Sequence, residues 1–252
     1  MNINPNIIFI IPYRDRDDQI NIFKTYFNKY KEYYKWNDES VNYYFIHQCD
    51  DRPFNRGAMK NIGFLFLKNK YPSNYKNITL VFHDIDTFPI TPDLINFNTN
   101  KGVIKHYYGY EFALGGIFSI KASDFEKIVG FPNLWGWGLE DNVLNDRCKG
   151  IIDIDRTTFY KINDKRIIRI NDGVYRKLSN REIYIYKYEK NVLDNLLMIN
   201  NLEYNENGNF VNVTNFNIKR NYNENEFENY DIRKGGKIKL KNGFFRKNWK
   251  LF

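Results

Sequence analysis

Short apolar runs recur along the first third of the chain, separated by longer stretches of mixed polarity. The clearest run is Ile7–Tyr13, which is typical of a strand covered on both faces. Residues 43–47 and 78–82 are predicted to form a second and a third strand. The run 7–11 is too short to cross a bilayer and lacks the flanks of a signal peptide, so it predicts a buried strand.

The intervening stretches carry apolar residues at helical spacing. A helix is predicted to run to about residue 33, with Asp17 or Asp18 as its N-cap. A second helix is predicted from Phe54 to about Lys68. The alternation of strands and helices predicts an α/β fold with a mainly parallel sheet. Ligands of such sheets bind beyond the carboxyl ends of the strands.

Charged residues stand at two of these strand ends. Arg14 and Arg16 follow the first strand and are suited to binding phosphates. Asp84 and Asp86 follow the third strand, and such carboxylates hold Mn²⁺ or Mg²⁺, which in turn bridges a diphosphate. For the aspartates alone, the alternative is a solvated turn. The sequence has no Gly-x-Gly-x-x-Gly or Walker loop, which argues against a dinucleotide enzyme or a P-loop kinase.

Residues 130–142 combine glycines, two tryptophans and a pair of acids. Glycines let a backbone approach a ligand closely, and the indoles of Trp135 and Trp137 are flat apolar walls. Glu140 and Asp141 are candidates for a general base, because partial desolvation raises a carboxylate's basicity. The alternative is an ordinary turn with both tryptophans in the core. The pattern favours a site, and adjacent acids argue against a glycosidase, whose acids stand apart across a cleft.

The net charge of +8 comes from the C-terminal end. Residues 233–252 hold eight basic residues and no acid, so the chain's 38 basic and 30 acidic residues balance before this tail. The tail is a candidate for weak contact with an anionic membrane or a nucleic acid; the alternative is a solvated hairpin. Two cysteines give no disulfide framework, which favours a reducing compartment. We therefore expect a cytoplasmic or otherwise soluble, intracellular protein without a signal peptide or transmembrane segment.

Five motifs occur in the order and approximate spacing of the β-1,4-galactosyltransferase family, which the chain resembles over about residues 7–150. They are Ile11-Pro12-Tyr13-Arg14-Asp15-Arg16, Phe54-Asn55-Arg56, Asp84-Ile85-Asp86, Gly115-Gly116 and Trp135-Gly136-Trp137-Gly138-Leu139-Glu140-Asp141. The resemblance implies a GT-A fold, with a Rossmann-like, twisted, mainly parallel sheet flanked by helices. Residues 1–220 would form the catalytic domain, and residues 221–252 a basic, aromatic tail or hairpin.

The resemblance further implies an inverting glycosyltransferase that moves a hexose or N-acetylhexosamine from a UDP-sugar to a sugar hydroxyl by single displacement, forming a β-linkage. Asp141 would be the general base, Glu140 would orient the acceptor and Asp86 would bind the metal. The residues implied to bind the donor are Pro12, Tyr13, Arg14, Arg16, Phe54, Arg56, Asp84, Ile85, Asp86, Ala113, Gly116 and Trp137. Those implied at the acceptor are Tyr110, Trp137, Gly138, Glu140 and Asp141.

The partners implied are the UDP-sugar donor and a glycan or glycosylated acceptor, with no obligate protein partner. The alternative to an active enzyme is a catalytically weak or inactive descendant that binds UDP or carbohydrate. This alternative is motivated by the first of two departures from the family pattern, which concerns the metal site.

The family completes its metal site with a histidine shortly after the tryptophan motif, but the matching residues 166–172 contain none. Asn171 or Asp172 would supply an oxygen ligand, which favours Mn²⁺ or Mg²⁺ as cofactor. Alternatively, Arg169 replaces part of the metal's charge, or the site is weak. Asp172 is the preferred ligand.

The second departure concerns the donor sugar. Galactose-specific members carry a tyrosine two residues before the paired glycines, where this chain has Ala113. In the family, a smaller residue there makes room for a 2-acetamido group. The donor is therefore expected to be UDP-GalNAc or UDP-GlcNAc rather than UDP-Gal, although losing a bulky wall changes what is excluded more reliably than what is preferred.

The patterns beyond residue 150 are weaker. Residues 182–188 alternate like an edge strand, residues 192–197 are predicted to form a short helix, and residues 203–230 a surface of loops and strands. The three histidines of the chain, His47, His83 and His106, are expected to be hydrogen-bonded structural residues.

Overall fold

The structure is a computed structural model that describes residues 5–170, 173–189 and 194–234. Its strands are β1 Ile7–Tyr13, β2 Val41–Gln48, β3 Thr79–His83, β4 Thr87–Pro89, β5 Val103–Gly109, β6 Ile117–Lys121, β7 Asp153–Asp155, β8 Tyr160–Lys161, β9 Ile167–Arg169, β10 Tyr175–Ser179, β11 Asn200–Asn207, β12 Phe210–Asn217 and β13 Phe227–Asp231. Its α-helices are α1 Asp17–Tyr34, α2 Arg56–Lys70, α3 Ala122–Lys127, α4 Glu140–Cys148 and α5 Asn180–Tyr188. The three predicted N-terminal strands and both predicted helices are confirmed.

A mixed sheet forms the middle of the described part of the chain, in the order β11-β12-β2-β1-β3-β6-β5-β7, with β8 beside β5. The strands β12, β2, β1 and β3 run parallel, whereas β6 is antiparallel to both β3 and β5. The expected parallel sheet is therefore confirmed for its central part. Because β1 and β3 are parallel neighbours, the loops that follow them open at the same edge of the sheet.

Strand β1 is buried along its whole length because both faces of the sheet are covered. Ile8 and Ile10 pack in a core cluster with residues of α2. Phe9 and Ile11 pack in a second cluster with residues of α1. Successive side chains of a strand point to opposite faces, so the uninterrupted apolar run reflects two separate cores.

Helix α1 begins at Asp17, but neither predicted aspartate caps it. The N-cap residue is Arg16, whose side chain makes no capping hydrogen bond. Asp17 instead accepts a hydrogen bond from the hydroxyl of Tyr13 at 2.5 Å. Asp17 and Asp18 both lie in the first turn, where negative charge is favourable to the helix dipole.

Helix α2 is capped at its start and packs closely against the sheet at its middle. Asn55 caps it by accepting a hydrogen bond from the Ala58 amide at 2.9 Å. A Cβ placed on Gly63 would lie 2.6 Å from Ile10 and 3.1 Å from Ile46, so a glycine is needed for this helix to lie so close to β1 and β2.

Two predictions for the C-terminal third change in the structure. The predicted edge strand 182–188 is wrong, because Asn180–Tyr188 is helix α5. Ser179 caps this helix by accepting from the Glu182 amide at 3.2 Å, and Ile183 and Ile185 are buried. The predicted helix 192–197 lies partly outside the described residues, and Leu196–Met198 forms a 3₁₀ turn.

The expected surface of loops and strands over residues 203–230 is confirmed by β11, β12 and β13. Residues 235–252 lie outside the described residues, so the hairpin and the contacts of the basic tail stay predictions, as does the boundary at residue 220. Within the ranges that the structure describes, no helix combines the length and the apolar content needed to cross a bilayer.

Candidate active site

A cavity of about 400 Å³ opens at the sheet edge where β1 and β3 end. Most of the predicted site residues line it: Pro12, Arg14, Arg16, Phe54, Arg56, Asp84, Ile85, Asp86, Tyr110, Ala113, Gly116, Trp137, Glu140 and Asp141. Residues separated by more than a hundred positions in the chain thus share one concave surface, as expected for a ligand site beyond the carboxyl ends of parallel strands.

Two of the predicted site residues that the structure describes do not line the cavity, and a third is not described. Tyr13 is 4% exposed and packs in the core cluster beneath α1, so the structure does not support it as a donor contact. Gly138 serves the turn before α4, where its φ is +95°. Asp172 lies outside the described residues.

An ion cluster around Arg56 lies in the wall of the cavity. Its Nη1 atom donates to Glu140 Oε1 at 2.6 Å and to Asp141 Oδ2 at 2.7 Å, and its Nη2 atom donates to Asp84. Lys60 donates from Nζ to Asp141 Oδ1 at 2.8 Å. One arginine at the start of α2 therefore joins the end of β3 to the start of α4.

The surroundings of the two adjacent acids shift their pKa values in opposite directions. Burial raises the pKa of Glu140, and the nearby charge of Asp141 raises it further. Burial would also raise the pKa of Asp141, but Arg56 and Lys60 outweigh it and hold that pKa below its ordinary value. Asp141 is thus ionised at neutral pH, while Glu140 is the more basic of the two carboxylates.

Gly115 and Gly116 bring the backbone against this cluster. A Cβ on Gly115 would lie 2.3 Å from Asp141 Oδ2, so any side chain there would displace the carboxylate. Gly116 has a φ of +68°, and its Cβ would lie 2.4 Å from the Tyr108 carbonyl oxygen. The amide of Leu114 donates to the Asp141 carbonyl oxygen at 2.9 Å, which ties this loop to α4.

The two tryptophans of the motif have different environments. Trp135 is 3% exposed, and its Nε1 donates to the Arg220 carbonyl oxygen at 3.0 Å. Trp135 therefore belongs to the core, as in the alternative interpretation of the motif, and is not a wall of the cavity. Trp137 is 42% exposed, lines the cavity and stacks on Tyr230 with ring centroids 6.3 Å apart. One indole anchors the loop and the other offers an apolar face to a ligand.

Several cavity residues were not predicted from the sequence: Thr87, Tyr108, Gly109, Gly136, Ile162, Tyr175, Arg176 and Lys177. Three of them belong to β10, which reaches the cavity because it pairs with β13, and no local motif marks that pairing. Lys60 was also missed, although a lysine four residues after Arg56 among apolar neighbours is a usable signal.

Asp86, the predicted metal ligand, is hydrogen-bonded to neighbouring residues. Its Oδ1 atom accepts from the Thr87 hydroxyl at 3.0 Å, and its carbonyl oxygen accepts from the Ile170 amide at 2.7 Å. Arg169 lines the cavity and pairs with Thr87 across the β4–β9 ladder. In the ranges 5–170, 173–189 and 194–234, no group of three or more His, Cys, Asp or Glu side chains is arranged to hold a metal.

The histidines make the hydrogen bonds expected of structural residues. His83 Nδ1 lies 2.8 Å from the Asp84 carbonyl oxygen, and His47 Nδ1 lies 3.1 Å from Asn212 Oδ1. His106 Nδ1 accepts from Arg156 Nε at 3.1 Å. Burial lowers the pKa of His83 and of His106 to about 4, so both are neutral at physiological pH.

The chain matches two models of one glycosyltransferase family. Residues 2–97 match the N-terminal region of glycosyl transferase group 7, and residues 98–163 match the family described as the N-terminal domain of galactosyltransferase. The chain belongs to the glycosyltransferase group 7 family, which confirms the resemblance inferred from the five motifs.

Individual relatives are galactosyltransferases. The chain is 31% identical over 144 residues to the xylosylprotein 4-beta-galactosyltransferase of Caenorhabditis elegans, a match that covers 53% of this chain and 46% of the relative. It is 25% identical over 204 residues to the human beta-1,4-galactosyltransferase 7, covering 77% of this chain and 60% of the relative. The chain therefore spans about half to three fifths of the length of these relatives.

Solved structures show the same fold. The catalytic domain of Drosophila beta1,4galactosyltransferase 7 in complex with xylobiose superposes with a TM-score of 0.64 at 17% identity, covering 86% of this chain and 95% of that one. A mutant of that enzyme in complex with manganese, UDP-Gal and xylobiose superposes with a TM-score of 0.58 at 16% identity, with the same coverage. The predicted GT-A fold is confirmed.

Replacing Arg56 by methionine is expected to lower the free energy of unfolding on the order of 3 kcal/mol near pH 7, because the cluster's carboxylates lose a largely buried cation. The depressed pKa of Asp141 stabilises the wild type above the unfolded-state pKa, and this contribution disappears as the pH falls. The difference in the free energy of unfolding between Arg56→Met and the wild type should therefore be smaller at acidic pH than at neutral pH. Urea unfolding at neutral and at acidic pH measures it.

Arg166→Met is the matched control for this prediction. Arg166 also pairs with an aspartate, Asp164, but at the protein surface. This variant should unfold like the wild type at both pH values. Equal losses of stability in the two variants would contradict the prediction that the Arg56 cluster stabilises the fold more than a surface ion pair does.

Proposed function

We propose that the chain is a glycosyltransferase that moves a sugar from a UDP-sugar to the hydroxyl of a sugar acceptor, with inversion at the anomeric carbon. The observation that carries the proposal is the Arg56 cluster, which joins Asp84 from the predicted donor motif to Glu140 and Asp141 from the predicted acceptor motif. Donor and acceptor groups so close together are what a single displacement needs.

Asp141 is proposed as the general base. Its carboxylate lines the cavity, and its lowered pKa keeps it ionised and able to accept a proton. The acceptor oxygen forms a bond to the anomeric carbon, the bond from that carbon to UDP breaks on the opposite face, and the hydroxyl proton passes to Asp141. Carboxylate oxygens accept more than one hydrogen bond, so the contacts to Arg56 and Lys60 leave room for the hydroxyl.

Glu140 is proposed to orient the acceptor. Its Oε1 atom is held by Arg56, and its Oε2 atom is buried with no hydrogen-bond partner among the described residues. A buried acceptor atom of this kind is unfavourable unless a ligand donates to it. Trp137, Tyr110 and Tyr175 line the cavity with exposed rings, which suit the apolar faces of a sugar.

Cations on the donor side would bind the diphosphate. The guanidinium of Arg14 is oriented by the carbonyl oxygens of Asp50 and Arg52 and lines the cavity. Arg16 and Arg169 line the same cavity, and arginine is well suited to phosphate oxygens. These residues supply positive charge where the leaving group becomes more negative.

Asp86 and Asp172 are proposed to hold a Mn²⁺ or Mg²⁺ ion. Asp86 offers a hard carboxylate in the cavity. The backbone of Asp86 is hydrogen-bonded to the amide of Ile170, which is two residues before Asp172 in the chain. When bound, the ion would neutralise charge on the diphosphate. A structural neighbour of this chain was solved with manganese and UDP-Gal, which supports the choice of ion.

Ala113 is proposed to admit an N-acetylhexosamine donor. It lines the cavity, and its amide donates to the Tyr110 carbonyl oxygen at 3.2 Å, which fixes its position in the loop. A methyl group leaves space there that a tyrosine ring would fill. UDP-GalNAc or UDP-GlcNAc is therefore proposed as the donor, rather than the UDP-Gal bound by the structural neighbour.

A catalytically weak or inactive descendant is the second candidate function. The observation that favours it is the absence of a histidine from residues 166–172, where the family completes its metal site. Such a protein would bind UDP or a glycan without turnover, even with Mn²⁺ present. The contact of the basic tail with a membrane or nucleic acid stays a prediction.

Replacing Asp141 by asparagine should reduce transfer by at least about 100-fold, because the variant lacks a base for the acceptor hydroxyl. Binding of UDP should survive. Release of UDP from the donor measures transfer, and calorimetry measures binding. Asp146→Asn makes the same change on the same helix outside the cavity and should remain active. A fully active Asp141→Asn variant would overturn the assignment.

Removal of divalent ions with EDTA should weaken both UDP binding and transfer, because the diphosphate loses a counter-charge. Asp86→Asn should weaken UDP binding in the presence of Mn²⁺, whereas Asp93→Asn, at an exposed position, should not. Binding and turnover that are indifferent to EDTA would refute the metal site.

Turnover of UDP-Gal, UDP-GalNAc and UDP-GlcNAc should be compared side by side in the wild type and in Ala113→Tyr. The added ring should shift the preference toward UDP-Gal by at least about tenfold, because it occupies the space of the acetamido group. Ala113→Ser barely changes the volume and should preserve the order of the donors. A strict preference of the wild type for UDP-Gal would defeat the inference.

A further inference from the structure

Lys60 is a buried cation to which neither the five motifs nor the proposed reaction gives a role. Its side chain is 1% exposed, and its Nζ atom lies 2.8 Å from Asp141 Oδ1. The same atom lies 4.3 Å from the centre of the Phe131 ring. Burying an ammonium group is costly unless it is paired, so this lysine is held in place by one carboxylate and one aromatic face.

Lys60 and Arg56 hold the two oxygens of Asp141 separately. Arg56 Nη1 donates to Oδ2 at 2.7 Å, and Lys60 donates to Oδ1. The two cations are four residues apart on α2, so they lie on the same face of the helix. They would repel each other there without the carboxylate between them. This arrangement fixes the plane of the Asp141 carboxylate against Gly115.

The charge balance of the cluster depends on Lys60. Arg56 alone would have to serve Asp84, Glu140 and Asp141 together. With Lys60 present, the three carboxylates face two cations. His106 on β5 also faces Asp141, but burial lowers its pKa to about 4, so it adds no charge near neutral pH. Lys60 is therefore the second cation that Asp141 relies on.

We propose that Lys60 is a positioning residue for the transfer reaction, which holds the Asp141 carboxylate ionised and aimed at the acceptor hydroxyl. The proposal rests on the proposed role of Asp141 as general base. Lys60 touches neither substrate in this scheme and acts through Asp141. Its effect should therefore appear in the pH dependence of turnover rather than in the affinity for the donor.

The test is the pH profile of kcat for Lys60→Met, which removes the charge and keeps a long apolar stem. Loss of the cation lets the pKa of Asp141 rise, so the acid limb of the profile should move to higher pH by about one unit. At pH values on the acid side of the shifted limb, kcat should be about tenfold lower than that of the wild type. The KM for the donor should stay within about twofold of the wild-type value. Lys60→Arg keeps the charge and should keep the acid limb near that of the wild type.

Lys68→Met is the matched control, because Lys68 lies on the same helix and pairs with Glu126 at the surface. It should leave the profile unchanged. Thermal melting shows which variants fold. Lys60→Gln, a shorter neutral substitution, replaces Lys60→Met if the latter does not fold. Loss of the fold in both neutral variants, with Lys60→Arg folded, would make Lys60 a purely structural residue and overturn the proposal.

The outcomes separate this proposal from the one on which it rests. If Asp141→Asn is inactive and a folded Lys60→Met shows the wild-type acid limb, the role of Lys60 is refuted and the general base stands. If Asp141→Asn keeps full activity, the general base is refuted, and the role of Lys60 falls with it. An acid limb that moves in Lys60→Met but not in Lys68→Met supports the proposal.

Discussion

The ion pairs that Arg56 makes with Asp84, Glu140 and Asp141 are the interaction on which the cavity depends. Asp84 follows β3, whereas Glu140 and Asp141 begin α4, and without a shared cation the repulsion between these carboxylates would push the loop after β3 away from α4. Removing one partner of a buried ion pair is strongly destabilising, because the remaining charges are left uncompensated in a medium of low polarity. The cluster therefore has a structural role and also brings the predicted donor and acceptor groups together.

Close backbone packing brings the elements that carry this cluster together. Asn55 caps α2 and also donates from Nδ2 to the Asn133 carbonyl oxygen at 3.2 Å, which ties the start of the helix to the tryptophan loop. On the other side, Gly115 leaves the space that the Asp141 carboxylate occupies. A helix start, a loop and a glycine pair thus meet within a few ångströms, so small side chains near the site matter as much as charged ones.

Much of this arrangement could be predicted from the sequence, because the central strands and the five motifs are local patterns. The apolar run of β1 indicates a strand buried on both faces, and parallel strands bring the loops after β1 and β3 to one edge. The errors have physical causes. Residues 182–188 satisfy strand alternation, but the cap at Ser179 and burial along one side favour a helix. Tyr175 and Lys177 reach the cavity through the pairing of β10 with β13, a contact between residues far apart in the chain that leaves no local pattern.

The opposite pKa shifts of two adjacent carboxylates follow from where the two cations lie. Lys60 contacts Asp141 and not Glu140, and Arg56 contacts one oxygen of Glu140 but leaves the other without a partner among the described residues. Asp141 thus gains more electrostatic stabilisation than burial costs it, whereas Glu140 does not. The same stabilisation makes Asp141 a weaker base, because a carboxylate held by two cations binds a proton less tightly. A base of this kind is effective where the proton is transferred late, once the attacking oxygen has begun to bond to the anomeric carbon and its hydroxyl has become acidic.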